Sequence, residues 1–422
     1  MAVRRISIGP GEVAGYFSRL KSGFDKLGIP SEYFVLSANK FSYEESDYFL
    51  KTAFQRVTRL CAHENGIIRL IGSGLALCVR IAVFLYALFR CDVFIFSGFG
   101  SFFRFYELPL LRLLGKKVLV IYLGSDARPP IFSGRHLDDD GSYVDPFTAY
   151  QEALNMVARI RRVEKYSDVI INHTSTAQYF IKPFVRLFAV GMPIDSCLDL
   201  PSLKKNQSNT VQILHAPSRP LAKGSLIFRR IIDELRVEGY LIKFVELMGV
   251  PNSVVLQELQ RCDFLVDEIY TDTPMGMIAT EAAIFGKPTV TGSWYVGQSK
   301  IDNPEFDFPP SLFVEENLVK QSIRKMIEDP EFRLDLGRNA QNFIRNNWDS
   351  TKVAQNYLRL IEGDIPETWI SNPSKLCYYW GWGLSKDNWQ KQVGGYLSSL
   401  GDDALLLNHN QKLKEMVLNE IR

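Results

Sequence analysis

Two separate series of short apolar runs alternating with helix-length segments constrain this chain more than any other feature. The first begins at Arg5-Ile6-Ser7-Ile8, passes a Gly-rich turn from Gly9 to Gly15, and enters a helix predicted over about Val13 to Leu27. It continues through strands at Glu32 to Val35, Val93 to Phe96, Val118 to Tyr122 and Val169 to Asn172, with a long helix from Pro146 to Tyr166. The second starts at Val211-Gln212-Ile213-Leu214 and runs through helix 225–238, strand 242–247, helix 252–261 and strand 264–266. A strand, a crossover helix and another strand demand parallel pairing with helices on both faces. At 422 residues the chain is too long for one core, and the polar stretch Ser202 to Asn209 separates the two series. Two α/β domains are therefore expected.

Hydrophobic residues make up 46% and charged residues 23%, a globular balance. A net charge of +2 gives no reason to expect a nucleic-acid partner. The six cysteines (Cys61, Cys78, Cys91, Cys197, Cys262, Cys377) form no CxxC pair and no metal-ligand spacing with histidine. They read as reduced, mostly buried thiols with no metal site. Met1 to Arg5 lead straight into a strand, so no signal peptide is expected and the cytoplasm is the expected compartment.

Charge is uneven. Between Lys51 and Lys117 ten Lys/Arg face three acidic residues, an excess of seven (10 − 3). The same region holds the most apolar stretch, Gly66 to Phe89, interrupted by Arg69 and Arg80. A span needs about 20 uninterrupted apolar residues. Two readings stay open: a buried core helix, or a helix lying in an anionic membrane interface.

Several loops fall where ligands sit in doubly wound sheets, beyond the carboxyl ends of strands. In the second series the segment Thr273 to Val290 reads as a loop, Gly276, a short helix, Gly286 as a left-handed cap, and a buried strand. The first-turn amides of that helix, around Gly276, Met277 and Ile278, suit a phosphate. Glu281, one turn further on, can accept from two sugar hydroxyls; the plainer reading is one solvated glutamate. Arg219 and Lys223 lie between the first strand of this series and its helix, where they offer two cations to a diphosphate or are simply solvated. In the first series Gly11 and Gly15 are either cleft contacts or glycines of a tight turn. Asp126 and Arg128 follow a central strand, with helix capping as the alternative for Asp126. Asp138 to Asp140 read as a solvated stretch and not a metal site, within a polar segment, Ile131 to Pro146, expected to be a flexible loop or an acceptor lid.

Glu281-Ala282 followed by Gly286-Lys287-Pro288 resembles the signature of family-4 retaining glycosyltransferases with the GT-B fold. The resemblance covers about residues 5–361. It implies two Rossmann-like domains facing a cleft, divided as 1–195 (acceptor side) and 196–347 (nucleotide-sugar side). A helix in 348–365 would return to the first domain, and the extension 366–422, rich in aromatics, would lie beyond the family pattern with packing, partner or acceptor contact all open. It further implies that Arg219, Lys223 and Glu281 act on a nucleoside-diphosphate sugar without a metal or other cofactor. Gly276, Met277, Ile278 and Thr273 would lie against the donor, with Met248 and Val250 at the nucleobase. Gly11, Gly15, Asp126 and Arg128 would face the acceptor side. The chain departs at Thr273, where relatives carry an acid, and at Leu123, where they carry a histidine. The expected reaction is retaining hexosyl transfer to a glycan or lipid-linked acceptor of polysaccharide biosynthesis, peripherally on the inner membrane face through 51–117. A sugar-nucleotide-binding protein that has lost transfer is the alternative. A nicotinamide enzyme is disfavoured, because the first turn is GxGxxxG and not GxGxxG.

Overall fold

The structure is a computed structural model, and it describes residues 4–36, 51–61, 63–134, 144–195, 209–292, 294, 296 and 309–422. In the first half, β1 (Ile6–Ile8), α1 (Tyr16–Lys26), β2 (Ser31–Tyr33), α2 (Lys51–Cys61), α3 (Gly66–Arg90), β3 (Val93–Ser97), α4 (Leu108–Leu113) and β4 (Lys117–Ile121) follow in order. Then come α5 (Pro146–Tyr166), β5 (Val169–Asn172), β6 (Phe184–Arg186) and the single turn α6 (Leu187–Val190). The second half contains β7 (Val211–His215), α7 (Pro220–Lys223), α8 (Ser225–Val237), β8 (Ile242–Glu246), α9 (Asn252–Arg261), β9 (Phe264–Val266), α10 (Met277–Ile284), β10 (Thr289–Gly292) and β11 (Leu312–Val314). The chain continues with α11 (Val319–Glu328), α12 (Pro330–Asn347), α13 (Ser350–Glu362), β12 (Ile370–Ser371), α14 (Lys386–Leu400) and α15 (Gln411–Ile421).

Two sheets result. The first has strand order β12-β6-β5-β4-β3-β1-β2 and the second β11-β10-β9-β7-β8. Every pairing is parallel except β12 on β6. Strands β3, β4 and β5 are buried almost throughout, as continuous apolar runs covered on both faces must be. Helix α1 begins at Tyr16, three residues later than expected, because Gly15 takes a left-handed conformation (φ 77°) just before it.

Helix α13 returns to pack on α1, and Tyr16 and Tyr357 share a hydrogen bond of 3.1 Å. Residues of both halves enter this core, among them Phe17, Ile95, Leu265, Ala279 and Val353. The extension is neither a linker nor an appendage. Its strand β12 closes one edge of the first sheet, and Trp389, Val393, Tyr396, Leu413 and Val417 sit in the same core as Phe94, Val120 and Ile160. Packing is therefore one role of the aromatic tail.

Helix α3 buries only Gly72, Val83, Phe84, Ala87 and Leu88. Its C-terminal turns are anchored under the sheet, while Ile67, Leu70, Ile71, Leu75 and Leu77 remain exposed. By length and composition it could cross a membrane, and little of it is buried. A buried core helix does not describe it. Ile131, Phe132 and Ser133 are buried, so the start of the segment expected to be a flexible loop belongs to the core; Asp138 to Asp140 lie outside the described residues. The linker residues 202–208 and Cys197 also lie outside them. Cys91 and Cys262 are buried as expected, and burial pushes both thiols up to about 12; Cys78 is exposed.

Candidate active site

The loops beyond the strand ends of both sheets line a cleft of about 970 Å³. Gly11, Glu12, Arg80, Ser97 and Arg104 face it from the first half, and Lys223, Asp267, Glu268, Asn252, Gly276 and Glu281 from the second. The helix that organises the second wall is α10. Ala279, Ala282 and Ala283 are fully buried, and their small side chains let α10 lie close on its neighbours. Gly276 forms its N-cap, with Thr280 Oγ1 donating to the Gly276 carbonyl at 2.9 Å, and the first-turn residues Met277 and Ile278, whose amides have no partner within the helix, line the cleft.

Glu281 is buried at this wall. Its Oε1 accepts from Arg19 Nη2 at 2.5 Å, and Asn252 Nδ2 lies 3.2 Å from each oxygen. A carboxylate offers about four acceptor positions, so roughly one remains open once these three bonds are made. Arg19 reaches across from α1, which makes this an ion pair between the two halves.

Lys223 ends the single turn α7, and Gly224, left-handed at φ 76°, passes the chain directly into α8. Its Nζ lies 2.6 Å from Asp267 Oδ1 and 3.5 Å from Glu268 Oε2. Burial disfavours the ammonium, but the two carboxylates outweigh it, so its pKa is raised and Lys223 stays charged. Glu268 Oε2 also accepts from the indole N–H of Trp382 at 2.7 Å. The extension thus reaches the cleft wall. The Trp382 carbonyl accepts from Gly134 N–H at 2.6 Å and Gly383 N–H donates to Tyr270 at 2.8 Å, so the strap 381–383 is held by both halves. A Cβ on Gly381 would sit 1.7 Å from the Phe132 carbonyl oxygen, so only glycine fits there.

Arg128 and Asp272 make a second bridge between the halves, bidentate at 2.6 and 2.7 Å and buried, with Arg128 stacked 5.6 Å from the Trp382 ring. Burial raises the Asp272 pKa against the pull of Arg128. A smaller cavity of about 140 Å³ adjoins α10 and is lined by Leu123, Arg128, His173, Thr273 and Met275. Burial, helped by Arg128, pushes His173 down to about 3, so its imidazole is neutral at physiological pH.

Six candidates from the sequence do not line the main cleft. Arg219 is exposed at the start of α7, where Pro220 begins the helix and leaves Arg219 extended (φ −144°). Asp126 turns inward and accepts from the Leu123 and Gly124 amides at 3.0 and 2.9 Å, which ties down its own loop without capping a helix; burial pushes its pKa up to about 6. Gly15 only starts α1, and Met248 is exposed beyond the cleft while its neighbour Val250 lines it. Arg128 and Thr273 line the smaller cavity instead. Gly11, Gly276, Met277, Ile278, Lys223 and Glu281 do share the main cleft. Sequence reasoning missed Arg19, Asn252, Asp272 and Trp382. Only the Trp380-Gly381-Trp382-Gly383 run offered any signal, glycines spaced for close approach beside large aromatics.

No family model and no curated protein matches the sequence. The structure is similar to that of a trehalose-6-phosphate synthase studied with bisubstrate glycomimetics, at 9% identity over 86% of this chain and 100% of the other, with a TM-score of 0.52. The fold is GT-B. Weaker likenesses with the GT-B fold include HepE from Anabaena in complex with UDP-glucose (12% identity, 85% and 100% covered, TM-score 0.49). Another is sucrose-phosphate synthase from Thermosynechococcus elongatus (14%, 85% and 98%, TM-score 0.48). At such identities the likeness is one of GT-B architecture.

Proposed function

We propose that the chain is a retaining, metal-independent family-4 glycosyltransferase that moves a hexosyl group from a nucleoside-diphosphate sugar to a lipid-linked or other glycan acceptor. One observation carries the reading: Lys223, Glu281 and the first-turn residues Gly276, Met277 and Ile278 of α10 line a single cleft at the strand ends of one sheet. In such a reaction charge develops on the departing diphosphate. The Lys223 ammonium and the amides of Met277 and Ile278 would meet it as fixed dipoles and charge that need no reorganisation. The open acceptor position of Glu281 would take a ribose hydroxyl and orient the donor. Val250 and its backbone neighbours would flank the base. The trehalose-6-phosphate synthase structure, described as bearing on glycosyltransfer with retention, supports the same reading through the shared fold.

The exposed apolar face of α3 and the basic excess around it support a place at an anionic membrane, on the cytoplasmic face. A sugar-nucleotide-binding protein without transfer is favoured by Leu123 and Thr273, which stand where the family pattern has a histidine and an acid. Incubation of the purified chain with a panel of labelled nucleotide sugars separates the two, because a competent site hydrolyses its donor slowly even without acceptor. Glu281→Ala should abolish that hydrolysis. Failure of every nucleoside diphosphate to stabilise the wild-type chain against heat would sink the donor site itself.

A further inference from the structure

The cation on the donor side of the cleft, Lys223, is already matched by Asp267 and Glu268, and Arg19, which reaches over from α1, is matched by Glu281. Two cations on the opposite wall are not. Arg80 of α3 and Arg104 of the loop after β3 both line the cleft, and among the described residues neither has an acidic partner. Arg80 Nη1 lies 3.5 Å from the Phe102 carbonyl, so its guanidinium rests against the loop that carries Arg104 two residues on. That loop is held in place: Arg104 is left-handed at φ 53°, and its carbonyl accepts from Arg162 Nη1 at 3.1 Å. Two guanidinium groups on one wall of a cleft match the oxygens of a phosphate or diphosphate better than any neutral group.

The helix that supplies Arg80 also supplies an apolar track. Leu77 precedes Arg80 by three residues and neighbours it on the helix surface. Two turns earlier Leu70 lies on the same face, with Gly74 between them and open space where its side chain would be. Leu70 and Leu77 are 74% and 52% exposed, unusual for leucines on a soluble surface. An apolar chain laid along Leu70, Gly74 and Leu77 would end with its head group at Arg80.

We infer that Arg80 and Arg104 hold the phosphate or diphosphate of a long-chain lipid acceptor, whose hydrocarbon leaves the cleft along α3. The inference rests on the transferase reading for what the lipid is used for, but its test does not need the donor. The full chain is floated with phosphatidylcholine vesicles holding a small fraction of polyprenyl phosphate, and with vesicles of equal charge made with phosphatidylserine. Wild type should bind the first about tenfold or more tightly than the second, the loss of one charge-assisted fork being worth at least that factor. Arg80→Gln with Arg104→Gln should erase the preference. Arg104→Gln alone, at an exposed side chain, should erase part of it. Equal preference in wild type and both variants overturns the inference. So does displacement by soluble glycerol phosphate at matched phosphate concentration, which would make this a site for a water-soluble phosphate. A fall in nucleoside-diphosphate affinity in the variants would put the arginines on the donor and overturn it as well. If wild type binds polyprenyl phosphate but no nucleoside diphosphate stabilises it, the transferase reading alone fails.

Discussion

Replacing Lys223 by methionine should damage stability and ligand binding by separable amounts. At an effective dielectric of about 20, the 2.6 Å contact with Asp267 and the 3.5 Å contact with Glu268 correspond to gross attractions of roughly 6 and 5 kcal/mol. Most of that offsets desolvation. The cost of Lys223→Met is set instead by the two buried carboxylates left without a counter-charge, about 3–5 kcal/mol. At about 2–4 °C per kcal/mol for a domain of this size, thermal unfolding followed by circular dichroism should drop by roughly 6–20 °C. Adding Asp267→Asn removes one stranded charge and should recover about half of the loss. Nucleoside-diphosphate affinity, measured by calorimetry, should fall about 10- to 150-fold in the single variant through loss of a charge-assisted contact. It should not recover in the double variant. A melting temperature within about 2 °C of wild type would refute the pairing argument. Restored affinity in the double variant would refute the contact between Lys223 and the diphosphate.

Asp126→Asn should change the pH profile. The folded carboxyl, raised from 3.8 to about 6 by burial, binds its proton more tightly than the unfolded one. Wild-type stability relative to the variant should therefore fall between pH 4 and 6.5, by about 3 kcal/mol, and stay level above; a constant difference in urea titrations across that range would contradict this. Trp382→Phe keeps an aromatic ring but loses the pyrrole part of the indole and with it the donor to Glu268, and should cost about 1.5–3 kcal/mol in thermal unfolding. Glu268→Gln added to it should be clearly non-additive, and simple additivity would mean that the two groups act independently.

Helix α5 and strand β5 were legible to the residue because each carries a local signal. Asp145 caps and Pro146 opens the helix, and Val169 to Asn172 is a bounded apolar run. Helix α9 was equally clear. The cleft position of Gly276 and Glu281 followed from their place after a buried strand, a matter of chain order alone. Arg219 stands exposed beside the cleft lining, held extended ahead of Pro220, and a charge count does not contain that direction. Asp126 was placed at the right loop, but its amides are local partners that compete with any ligand. The partners of Glu281, Glu268 and Arg128 come from residues 29 to 262 positions away, so no window of sequence could have joined them. The contribution of the extension to the first domain was invisible for the same reason.

That last arrangement has a consequence during synthesis. Trp389 and Leu413 fill space among residues made long before them, such as Phe94 and Ile160. At about 5–20 residues per second, roughly 10–40 s or more separate the emergence of the amino-terminal strands from the arrival of the segment that seals them. For that interval the nascent amino-terminal half carries an unfilled apolar hollow and an unpaired strand edge at β6, the state most prone to aggregate or to recruit a chaperone. A premature stop near the carboxyl end would leave the molecule in that state permanently, harming the half that was translated first.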